Sequence, residues 1–123
     1  MKQTLILKGS LPGMNEIVAL AKRGKGKYQP YAQEKADISM MIKAESMAQN
    51  ILPLAHKANF IITWVCKDKR RDKDNVSAGC KFLLDGLQTA GVLKNDGWGE
   101  IGDITHKFEI GTPKVIIEME EEV

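Results

Sequence analysis

Apolar and polar residues follow two different periods along this chain of 123 residues. Residues 3 to 8 (Gln3-Thr4-Leu5-Ile6-Leu7-Lys8) predict a first strand, and Gly9-Ser10-Leu11-Pro12-Gly13 has the composition of a turn. Asn15 is placed to cap a short helix running to Ala21, with Gly24 as its stop. Lys22 to Gln29, rich in glycine and lysine, predicts a mobile loop. Between residues 31 and 51, Ile38, Met41, Ala44, Ala48 and Ile51 recur at spacings of three and four, the stripe of a helix that Pro53 would end. Met40, Met41 and Met47 read as fillers of gaps in the core.

Residues 57 to 66 are rich in β-branched and aromatic side chains and predict a second strand. A further helix is expected from Asn75 to Ala90, with Val76, Cys80, Leu83 and Leu87 as its buried stripe and Gly91 as its stop. Residues 100 to 110 and 114 to 120 predict two more strands, turning at Gly111-Thr112-Pro113. The order β, short α, α, β, α, β, β implies an α+β fold: a single small domain over residues 1–123, with a mixed sheet of about four strands and two main helices packed on it. No repeat, low-complexity segment or linker interrupts it.

The longest apolar run, Phe60 to Cys66, is too short to cross a membrane, and the N-terminus lacks the regions of a secretory signal. Cys66 and Cys80 have no metal-ligand spacing and read as buried thiols of a reducing compartment, so a cytoplasmic protein is expected. The net charge of +2 understates the basic character, because Glu118 to Val123 holds four acids and no base. The bases cluster as Lys22, Arg23, Lys25 and Lys27, and as Lys67, Lys69, Arg70, Arg71 and Lys73. Such clusters attract phosphates; solvated charged loops are the plainer alternative.

The second cluster is interleaved with acids in Arg70-Arg71-Asp72-Lys73-Asp74-Asn75, and Asn95-Asp96 follows about twenty residues later. If the strand persists that far, Asp72 and Asp74 point the same way. Paired carboxylates repel each other, and a divalent cation relieves the repulsion; Mg²⁺ takes a few carboxylates, waters and phosphate oxygens. Asp96 joins them only if the loop after Gly91 folds back. The plainer alternative makes Asp74 or Asn75 an N-cap. Lys81 stands two turns after Asp74, on nearly the same helix face, and either reaches back toward the acids or pairs with Asp85 at i+4. His56 and His106 have no partner pattern, and Trp98 reads as a packing or interface residue.

Arg70-Arg71-Asp72-Lys73-Asp74-Asn75, Lys81-Phe82-Leu83-Leu84-Asp85-Gly86-Leu87 and Ala90-Gly91-Val92-Leu93-Lys94-Asn95-Asp96 together resemble the RusA family of Holliday-junction resolvases. Leu11-Pro12-Gly13-Met14-Asn15 also looks like that family's N-terminal loop. The resemblance covers most of the chain. It implies a small homodimeric, Mg²⁺-dependent endonuclease, with Mn²⁺ as an alternative metal, of the kind found in phages and prophages. Such an enzyme cuts four-way DNA junctions by paired symmetric nicks in recombination and repair. The family's metal-binding aspartates fall on Asp72, Asp74 and Asp96. Its catalytic lysine falls on Ala78 counted forward from the acids, and on Lys81 counted back from the following block; a lysine stands only at Lys81. Asn95 replaces a frequent aspartate. Lys67, Lys69, Arg70, Arg71 and Lys73 would track the DNA backbone. A non-catalytic binder of branched DNA and a metal-dependent nuclease for flaps or single strands are the alternatives.

Overall fold

A computed structural model describes residues 1–23 and 30–122. In chain order the described residues form β1 (Lys2–Lys8), α1 (Met14–Arg23), α2 (Pro30–Ala48), β2 (Ala58–Cys66), α3 (Lys73–Ser77), α4 (Cys80–Thr89), β3 (Ile101–Ile110) and β4 (Lys114–Glu121). The expected α+β class and four-stranded mixed sheet are both present, with strand order β1-β4-β2-β3. The expected stop at Gly24 and the loop bearing Lys25 and Lys27 lie outside the described residues.

The acid-rich C-terminal segment is an inner strand. β4 pairs antiparallel with β1 and with β2, while β2 pairs parallel with β3. β3 and β4 are therefore not neighbours, although only a short turn joins them. That turn passes over the end of β2, where the Gly111 N–H donates to the Cys66 carbonyl (2.8 Å) and the Gly9 N–H to the Pro113 carbonyl (2.9 Å). Pattern explains the choice. Val115, Ile117 and Met119 of β4 are fully buried, whereas most β3 positions are exposed, as suits an edge. Glu121 is buried and accepts from the Ala55 and His56 N–H groups at 3.0 and 2.9 Å, pinning the loop before β2.

The described helices gather on one face of the sheet. Leu5, Leu7, Phe60, Ile62, Trp64 and Ile117 meet Ile38, Ile42, Phe82, Leu83 and Leu87 there. The stripe of α2 is not the one expected: Ile38, Ser39, Ile42 and Ser46 are buried, while Ala44 and Ala48 are exposed. Two serines inside the stripe hide it from a count of apolar residues. Met40 and Met47 are likewise on the surface rather than in the core. Nor does Pro53 end the helix. Asn50 turns left-handed (φ 57°), the Ile51 N–H donates to the Ser46 carbonyl (2.9 Å) and the Asn50 N–H to Met47 (3.2 Å).

The expected helix from Asn75 to Ala90 is two helices, broken at Ala78-Gly79. A Cβ at Gly79 would press on Leu11 and Trp64, so the break lets the chain pass close to the first loop. Gly91 (φ 75°) closes α4 as expected. Gly86 lets α4 approach α2, since a Cβ there would lie 3.0 Å from the Ile42 Cβ. The added methyl of Gly86→Ala is expected to cost about 2 kcal/mol net in urea unfolding, overpacking outweighing the gain in helix propensity.

The two edges of the sheet differ. At β1 the Gln49 amide acts as a strand fragment, accepting from the Ile6 N–H (2.9 Å) and donating to the Ile6 carbonyl (2.7 Å). Among the described residues, β3 has a strand on one side only. His106 on β3 is structural: its Nδ1 accepts from the Trp64 indole N–H at 3.0 Å, and the rings stack. Burial lowers the His106 pKa below its usual value. The unfolded chain then binds the proton more readily, so stability should fall as pH drops through about 6.5. His106→Gln should flatten that part of a plot of Tm against pH.

Candidate nucleic-acid interface

β1, β2 and β3 end, and β4 begins, at one end of the sheet, where Lys8 pairs with Lys114, Val65 with Lys114 and Cys66 with Ile110. The connections Gly9–Gly13, Lys67–Asp72 and Gly111–Pro113 gather there. An open cleft of about 830 Å³ lies beside α1, lined by residues including Pro12, Glu16, Lys67, Arg70 and Arg71. A second, of about 430 Å³, lies between α3 and the end of β3, with Lys69, Asp72, Lys73, Val76, Phe108 and Ile110 on its walls.

β2 stops at Cys66, so Asp72 and Asp74 do not share a strand face. Asp72 takes the N-cap position of α3 with extended backbone, yet its carboxylate makes no capping bond. Asp74 lies in the first turn of α3, where its Oδ1 accepts from the Asn75 N–H (2.9 Å). Both side chains are exposed. Asn75 does not cap α3. It is buried, and its Oδ1 accepts from the Asn15 N–H at 2.8 Å, capping α1 from α3. Asn15 itself, expected as that cap, is inside α1. Gly13 is required by this contact, because a Cβ would come within 2.6 Å of the Asn75 carbonyl oxygen.

The basic residues divide into two kinds. Lys67, Lys69, Arg70 and Lys73 are exposed. Among the described residues, Arg70 has Asp68 beside it, at 3.7 Å, and the Lys73 ammonium lies 5.5 Å from the Phe108 ring centre. Arg71 is a brace: one Nη1 donates to the Leu11 carbonyl and meets Glu16, each at 3.4 Å. Lys8 and Lys114 extend the basic end on the helix-free face, a pairing invisible locally because the two lie in the first and last strands.

Lys81 pairs with Asp85 at 3.4 Å, and Lys35 reaches the other oxygen of Asp85 at 3.3 Å. The break at Ala78-Gly79 removes the continuous helix that would have carried Lys81 on the face of Asp74. The Cys80 thiol, only partly buried, is still pushed up to about 11 by burial, which leaves it a poor nucleophile.

Asp96 is exposed in the connection that enters β3 at Ile101, beside Ala58, the opposite end of β2 from Cys66. Eight residue steps of β2 separate those ends, about 26 Å at strand rise. Among the described residues, no group of three or more His, Cys, Asp or Glu side chains is placed to hold a metal ion. One chain thus does not fit the three-aspartate set. Asp72 and Asp74 remain as a pair of acids among cations.

No protein-family model matches this chain, and no curated protein matches it in sequence.

The Asn75 bond joins the acidic turn to α1. Asn75→Ala should lower stability by about 1–2 kcal/mol, because it leaves the Asn15 N–H without its acceptor. Asn75→Asp, which keeps an acceptor, should lose less in the same urea titration.

Proposed function

We propose that this protein is a metal-dependent endodeoxyribonuclease that resolves four-way DNA junctions by paired nicks. One observation carries the reading: exposed Asp72 and Asp74 stand in a turn flanked by the exposed cations Lys67, Lys69, Arg70 and Lys73. Cations along a cleft bind the DNA backbone by releasing counterions, so affinity should fall steeply with salt. The RusA-like sequence block supports a junction as the substrate.

Mg²⁺ characteristically uses one or two carboxylates, retained waters and substrate phosphates, and Asp72 and Asp74 supply carboxylates of that kind. Bound there, the metal would supply a more acidic water and offset charge on the phosphate. The protein's own share is to hold the backbone. Arg70 and Lys73 flank the acids, and Arg71 braces the loop through Leu11 and Glu16. Lys81 is held by Asp85 and would contact phosphate only after leaving that pair.

The second reading, a non-catalytic binder of branched DNA, is favoured by the separation of Asp96 from Asp72 and Asp74. A labelled four-way junction incubated with Mg²⁺, or with EDTA, beside a matched duplex separates the two. Paired nicks that require Mg²⁺ and spare the duplex are expected. Asp74→Asn should keep junction binding and lower cleavage by at least ~100-fold. Equal cleavage by that variant, or binding without cutting by the wild type, would reject the nuclease.

A further inference from the structure

The face of the sheet turned away from the core carries no described helix. Alternation places Lys8 of β1 on it, directly opposite Lys114 of β4. Val65 of β2 lies beside Lys114, and Lys107 of β3 lies beside Thr63 of β2. Residues opposed in this way hold their Cβ atoms about 5 Å apart, and like charges so placed repel. Among the described residues, Lys8, Lys107 and Lys114 make no ion pair. Lys2, on the same strand and face as Lys8, is 3.3 Å from Glu118. The fold thus keeps a repulsive pair of cations that nothing described in the chain neutralises.

Burial on this face supplies a second observation. Thr63 and Val65 are each only 6% exposed, although no described helix lies over them. Their cover is what stands beside them in register: Ile116 and Lys107 at Thr63, Lys114 and Glu109 at Val65. The Gly111 turn closes over the end, since a Cβ there would lie 3.2 Å from Val65 Cγ1. Lys8 and Lys107 are exposed and Lys114 is half-buried. Lysine stems lying along the sheet with their charged ends in water account for both facts.

We infer that this half of the helix-free face is a second DNA surface, on which Lys8, Lys114 and Lys107 hold backbone phosphates of a DNA arm. A phosphate between Lys8 and Lys114 replaces their repulsion with two attractions. Lys8 and Lys107 are three interstrand steps apart, about 14 Å. That span is close to the ~12 Å width of the major groove. Past the end of β2 the chain runs straight into Lys67, so this surface adjoins the basic loop. Acids bound it: Glu109 lies beyond Val65 at the β3 edge, and Glu118 and Glu120 occupy the other half of the face. An acidic protein is the competing occupant; the adjoining cations of the loop favour DNA. The choice of DNA rests on the reading above; the unpaired lysines do not.

Binding of a labelled four-way junction by the full chain in EDTA, followed by anisotropy across a salt series, tests the surface without cleavage. Lys8→Gln and Lys114→Gln should each weaken binding. Each should also reduce the slope of log affinity against log salt by about 0.9, the loss of one phosphate contact. Lys2→Gln removes the same charge from the same strand and face, and should leave both unchanged. Lys114→Glu separates a DNA contact from a structural role. It gives Lys8 an opposite charge across the strands, so Tm should rise while junction binding falls. Lys8 and Lys114 variants with wild-type affinity and slope would overturn the surface, and are what an acidic protein partner predicts. Lys2→Gln weakening binding as much as Lys8→Gln would also overturn it, since net charge alone would then explain the loss. A wild type that binds but never cuts with Mg²⁺ would reject the nuclease and leave this surface standing. Cleavage that proceeds with Lys8 and Lys114 variants at wild-type affinity would do the reverse.

Discussion

Parallel pairing of β2 with β3 obliges the chain to travel back along the sheet between them, because a parallel neighbour cannot be reached by a tight turn. α3 and α4 make that return journey. Everything attached to the end of β2 is therefore at one end of the molecule, and everything attached to the start of β3 is at the other. Asp72 and Asp74 belong to the first group, Asp96 and Trp98 to the second.

The end that gathers Gly9–Gly13, Lys67–Asp72 and Gly111–Pro113 is held by side chains that double as loop connectors. Arg71 ties the basic loop to Leu11 and Glu16, and Asn75 caps α1 from α3. Gly13 and Gly79 are the small residues that let these segments touch. Bracing of this kind leaves Lys67, Lys69, Arg70 and Lys73 exposed at that end. In the proposed nuclease, that separates the cations that position the loop from those that meet DNA.

Several readings failed where a local rule met a tertiary demand. Met40 and Met47 are exposed because the stripe of α2 turns on Ile38 and Ile42, with Ser39 and Ser46 beside them. Gly79 breaks what the periodicity of Val76, Leu83 and Leu87 presents as one helix, since Leu11 and Trp64 crowd that point. Arg71, expected to track the DNA backbone, also contacts Leu11 and Glu16 within its own chain. By contrast His106 needed no chemical role: it serves the Trp64 indole.

By itself the sequence determined the strands, their lengths to within a residue or two, the α+β class, and the candidate acids and bases, because period and turn composition act over a few residues. Strand order lay beyond it. That β2 separates β3 from β4 follows from which faces must be buried at once, a property of the whole sheet. Distance between sites lay beyond it for the same reason: Asp74 and Asp96 are close along the chain, and only the parallel return of β3 sets them at opposite ends.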